Sequence, residues 1–133
     1  MDIFKQFVTD PDKEKKGVWC PLSGDAEFLI ARMGNREYTR ELTQEVERYS
    51  AALDGNDDVS DDTSDNIMVK LLSKHILLAW RGTVEYKGEA LPYSKEAAEK
   101  LLSVKDFRKW VIRQSELLKN FRAAEDKVIE KNS

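Results

Sequence analysis

From Asn35 onward the apolar residues recur at intervals of four and three, and before it they do not; this change of period limits the fold more than any other feature. Tyr38, Leu42, Val46, Tyr49 and Leu53 form one apolar stripe on an otherwise charged helix spanning residues 35–53. Ahead of it the pattern is that of strands. Gly17-Val18-Trp19-Cys20-Pro21-Leu22 and Ala26-Glu27-Phe28-Leu29-Ile30-Ala31-Arg32 flank Ser23-Gly24-Asp25, whose glycine supplies the positive φ a hairpin turn needs. Pro21 has no amide hydrogen to give a ladder, so its strand belongs at a sheet edge. Ile3, Phe4, Phe7 and Val8 also read as extended, ended by Thr9-Asp10-Pro11-Asp12 and the charged run 13–16. Residues 1–34 are therefore expected to be β-rich.

Residues 54–65 hold six aspartates and no basic residue, which predicts a solvated acidic loop. Asp54, Asn56, Asp58, Ser60, Asp62 and Asp65 fall at the ligand positions of an EF-hand loop, but the match fails twice. Val59 stands where the turn needs glycine, and Asp65 where a bidentate glutamate belongs, so no calcium is expected. Ile67, Met68, Leu71, Leu72, His75, Ile76 and Ala79 then predict the most apolar helix, ending at Trp80-Arg81-Gly82. His75, without cysteine, second histidine or clustered carboxylate beside it, reads as a hydrogen-bonded core residue. The stretch 83–91 predicts a small hairpin, and Ser94 caps a helix running to about residue 102. A last helix capped by Ser103 is expected to run unbroken to about residue 130, with Phe107, Val111, Gln114, Leu118, Phe121, Glu125 and Val128 at alternating steps. Its end beyond Phe121 is too polar for full burial and is expected to project.

At 133 residues the chain suits one domain with one core. The reading is an α+β fold, mostly helical, with an amino-terminal antiparallel β-hairpin or small sheet on about four helices. No run approaches the roughly 18 apolar residues of a membrane span. No amino-terminal stretch reads as a signal peptide, and one cysteine excludes an intrachain disulfide, so the cytoplasm is the expected compartment. A net charge of -3 gives no general attraction to nucleic acid, and ten basic against seven acidic residues over 95–131 is a small excess. A nucleic-acid role is the secondary expectation. Cys20 and His75 are the only nucleophile-and-base candidates, and Cys20 between Trp19 and Pro21 reads as a buried thiol. No phosphate cradle or nucleophile elbow is present, so no enzyme, cofactor or metal is expected.

The run LLAWRGTVEYKGEALPYSKEAAEKL resembles the central signature of the phage tail assembly chaperones of long-tailed phages, through Trp80, Gly82, Gly88, Pro92, Tyr93, Ser94, Glu96 and Ala97. GVWCPLSGDAEFLIARMGN, residues 17–35, is similar to that family's amino-terminal segment. The resemblance covers about a third of the chain and implies a non-enzymatic chaperone. Its partner would be the tape measure protein, kept soluble until the tail tube polymerises, and the chaperone would be absent from the mature virion. It further implies that a longer, frameshifted form can bring in the tail tube protein. The alternative is a small phage-encoded DNA-binding or regulatory protein. Trp80, Tyr86, Tyr93, Phe107 and Trp110 are the candidate partner-binding residues, because aromatic rings give large contact area, although each also fits a core. Self-association into a homo-oligomer is expected for the same reason: an apolar surface without its partner has to be hidden.

Overall fold

The computed structural model describes residues 1–53 and 61–123. It is an α+β fold in which a three-stranded antiparallel sheet packs on helices, with a separate two-stranded hairpin. The first segment departs from the expected strand. Ile3–Phe7 (α1) and Pro11–Lys16 (α2) are short helices, each opened by an aspartate that caps free amides. Asp2 Oδ1 accepts from Phe4 N at 2.9 Å, and Asp10 Oδ1 from Asp12 N at 2.9 Å, with Pro11 in the first turn, where its missing amide costs nothing. The Asp-Pro pair that reads as a stop is therefore a start.

Val18–Ser23 (β1) and Ala26–Ile30 (β2) form the expected hairpin, with Cys20 opposite Phe28 and Gly24 at φ 58°. Leu77–Arg81 (β3) completes the sheet on the other side of β2, with Phe28 opposite Trp80. Pro21 thus lies on an edge strand, as its missing donor requires. The helix expected to reach Trp80 is two elements: Asp61–His75 (α4) ends at His75 and the chain turns into β3. The apolar run 76–80 satisfies either period, and the unpaired edge of β2 decides for the strand. Ala26, Phe28 and Ile30 point into the core, while on the outer face the Arg81 guanidinium lies 3.9 Å above the Trp19 ring.

Arg36–Leu53 (α3) begins where the period changes, capped by Asn35 Oδ1 accepting from Tyr38 N at 3.1 Å. Asp61 to Asp65, expected in the acidic loop, instead form the first turns of α4, where aspartates complement the positive end of a helix. Asp54 and the rest of the loop through residue 60 lie outside the described residues. Glu85–Tyr86 (β4) and Glu89–Ala90 (β5) make the small hairpin, and Lys95–Leu102 (α5) starts at Ser94, whose Oγ accepts from Ala97 N at 3.0 Å.

Lys105–Glu116 (α6) is preceded by Val104, and Ser103, expected as its cap, donates its hydroxyl back to Glu99 O at 2.8 Å. α6 does not run on. Leu117 is extended at φ -74°, ψ 117°, and Leu118–Phe121 (α7) turns back on the body. Asn120 Nδ2 donates to Gln114 O at 2.8 Å, satisfying a helix-end carbonyl, and Phe121 is fully buried. Residues 122 and 123, expected to project, pair with the amino-terminal segment: Thr9 bridges Arg122 and Ala123 N donates to Val8 O at 3.2 Å. The expected extension over 124–130 lies outside the described residues.

Phe121 is fully buried apart from the main core, which is centred on Ile30, Leu71, Leu72, Ile76, Leu77, Leu102 and Val111, each fully buried. Complete burial of such side chains is worth about 1.5–3 kcal/mol apiece, which makes this cluster the main stabilising term. Arg108 is buried among them. Its Nη1 donates to Leu102 O at 3.1 Å, closing the end of α5, and its Nη2 lies 3.5 Å from Asp65 Oδ1 on α4.

Candidate functional site

Three of the five aromatic residues singled out in the sequence come together around a sixth, Phe28, and a fourth, Tyr93, joins them through Trp80. Trp80 on β3 lies 5.9 Å from Phe28 between ring centroids, Phe107 lies 5.2 Å from it and Trp110 5.6 Å. Tyr93 stands perpendicular to Trp80 at 5.0 Å. Trp80 is buried, and its indole Nε1 donates to Leu91 O at 2.9 Å, so it ties the β4–β5 excursion to the sheet. Phe107 and Trp110 are half-buried, and only Tyr93 is largely exposed. Tyr86 belongs to a different place, with the Lys87 and Lys100 ammonium groups each 5.5 Å from its ring. The edge-on geometry of the Phe28 cluster is that of packed aromatics, and it fixes the sheet against α6.

A second surface feature lies elsewhere, between α3 and α4. Tyr38, Leu42, Ile67 and Leu71 line an open apolar groove of about 280 Å³, with Val46, Tyr49 and Met68 on its walls and Ser50 and Ser64 also lining it. Val46 is 54% exposed and Met68 38%. None of the nine lining residues is charged, in a chain where 35% of residues are. The charges of the same two helices are gathered along another line: Glu41 bonds Lys74, and Glu45 Oε1 lies 3.5 Å from Lys70 Nζ and 2.9 Å from Arg48 Nη1. The Lys74 ammonium holds the Glu41 carboxyl below its ordinary range. His75 Nε2 lies 3.3 Å from Glu41 Oε2, near enough for an ion pair when protonated but outside hydrogen-bond alignment. His75 is therefore half-buried on this seam, short of the hydrogen-bonded core position expected of it.

Sequence periodicity finds the groove residues but assigns them to the interior. The signal for exposure lies on the flank of the stripe, where Thr39, Thr43, Ser50 and Ser64 are all uncharged. Elsewhere, burial pushes the Cys20 thiol up to about 11, which leaves it protonated and a poor nucleophile near neutral pH. Among the described residues no group of three or more histidine, cysteine, aspartate or glutamate side chains is placed to hold a metal ion. Among them also, no helix is long and apolar enough to cross a membrane.

Fold and groove together define a small α+β protein with an uncharged apolar channel between two of its helices. The chain belongs to the YdaY prophage protein family, whose model matches residues 33–132, from the turn before α3 to beyond α7. It is thus a phage-derived protein. No curated protein and no solved structure matches it.

Proposed function

We propose that the chain is a non-enzymatic phage tail assembly chaperone, which binds the tape measure protein and keeps it soluble in the host cytoplasm until the tail tube polymerises. The observation that carries the reading is the charge-free groove between α3 and α4. An amphipathic helix buries side chains at i, i+3, i+4 and i+7 in such a channel, and Met68 and Tyr49 are suitable lining because their contacts adapt to varied partners. Prophage origin agrees with the role. The Trp80-Arg81-Gly82 and Pro92-Tyr93-Ser94 positions that carry the resemblance then act as scaffold, through the Trp80–Leu91 hydrogen bond and the Ser94 cap.

The test is co-expression with the tape measure protein of the same phage, followed by pull-down and a solubility assay. The partner is expected in the soluble fraction with the wild-type chain. It is expected in the pellet with Val46→Glu or Met68→Glu, each of which places a charge in the groove. A partner that stays aggregated beside the wild-type chain overturns the reading. Duplex binding whose salt dependence reports several released counterions would then favour the regulatory alternative.

A further inference from the structure

We infer that the α3–α4 groove accepts the amino-terminal helix α1 of a second copy of this chain, so that the protein self-associates by inserting an apolar ridge into an apolar channel. The ridge is α1 itself. It buries none of its residues in its own chain, and Ile3, Phe4 and Phe7 are 57%, 46% and 59% exposed. At 100° per residue these three fall within about a third of a turn, with Asp2, Lys5 and Gln6 on the other side, so the apolar surface is one-sided. Two bulky phenylalanines held in water by a five-residue helix are unusual for a surface that meets nothing.

The ridge is also pre-ordered. Asp2 caps it, Val8 N closes it onto Phe4 O at 2.8 Å, and Arg122 Nε donates to Gln6 O at 3.2 Å. These ties are to backbone and cap, and they fix the direction of apolar side chains that stay about half exposed, which lowers the entropy lost on docking. The groove presents the matching chemistry: nine uncharged residues, with Val46 and Met68 exposed on its walls. A charged helix face in that channel would lose its water without gaining a partner, whereas the three-residue ridge of α1 has no charge to desolvate. Ridge and groove are both open in one and the same chain, so the ridge of one copy meets the groove of another. This contact joins unlike surfaces, and repeating it closes a ring or extends a chain. It requires only the protein itself, but it uses the groove that the tape measure reading also fills, so the two occupants compete there; the ridge variant, whose groove is intact, separates self-association from tape measure binding.

The experiment is light scattering coupled to size-exclusion chromatography over a concentration series, with three preparations checked for native circular dichroism. The wild-type chain is expected to grow in mass with concentration. The double variant Phe4→Glu with Phe7→Glu, and the double variant Val46→Glu with Met68→Glu, are each expected to remain monomeric. Mixed together, the two are expected to form a one-to-one heterodimer, because one still owns a ridge and the other a groove. Should the groove variant fail to fold, Ser64→Arg, an exposed residue lining the same groove, takes its place. A wild-type chain that stays monomeric throughout, a ridge variant that still associates, or a mixture that stays monomeric overturns the proposal.

Discussion

Gly82 illustrates how a single missing side chain holds two elements together. At φ 84° it adopts a conformation that favours glycine, and a Cβ there would lie 2.1 Å from the Asp25 carbonyl oxygen in the β1–β2 turn. The three atoms that crowd it, Asp25 O, Asp25 C and Ala26 Cα, are all backbone, so Gly82→Ala should cost more than about 2 kcal/mol, read as a lowered thermal midpoint with no gain elsewhere. The neighbouring carboxylate completes the joint: Asp25 accepts from Thr83 N at 2.9 Å and Thr83 Oγ1 at 3.2 Å, and the backbone hydrogen bond chiefly holds its pKa below the ordinary value. A carboxyl depressed in the folded state stabilises above its unfolded pKa and loses that contribution as pH falls through the folded value. Acid titration of stability should therefore show a limb below about pH 4 that is shallower in Asp25→Asn. At this scale the sequence is most informative where one residue acts on its own neighbours, as at Gly24 and Ser94. It is silent about Gly82, because what excludes a side chain there comes from a turn 57 residues earlier.

At the scale of elements, local period and long-range pairing compete, and the outcome depends on which is better satisfied. α3 and α5 are legible because stripe, cap and length agree. The run 76–80 is not, since five consecutive apolar residues carry no period and only the open edge of β2 settles the matter. α6 ends at Leu117 for a similar reason. Burying Phe121 and pairing residues 121–123 with 8–10 outweighs another turn of helix that would carry a polar stripe. Phe121→Ala should thus cost about 3–5 kcal/mol and also release α1 and α2, seen as loss of amide protection at Asp10 and Ala123 ahead of the rest of the protein. The groove was unreadable at this level. An amphipathic stripe states that a face is apolar, and says nothing of whether one neighbour or two will cover it. α3 packs on α4 and leaves the far side of its stripe open.

Over the whole molecule, the α+β class and the β1–β2 hairpin follow from the change in period at Asn35, whereas α1, α2 and β3 do not, and the aromatic candidates were placed by chemistry alone. Three of them share one cluster because Phe28, which the sequence marks only as a strand residue, sits at the middle of the sheet, and Tyr93 joins through Trp80. That middle strand has a further consequence. The span by which the chain is recognised as a family member starts at residue 33, yet β2, which ends at Ile30, separates β1 from β3 and supplies Phe28 and Ile30 to the core. A fragment of residues 33–132 would keep the recognisable span and leave β3 without its neighbour, its backbone donors and acceptors bare and Trp80 facing water. Expressed alone, it should be insoluble, and adding a peptide of residues 17–32 during refolding should recover soluble material. The span that the family model matches is then shorter than the span this fold needs, and β2 is the strand that makes up the difference.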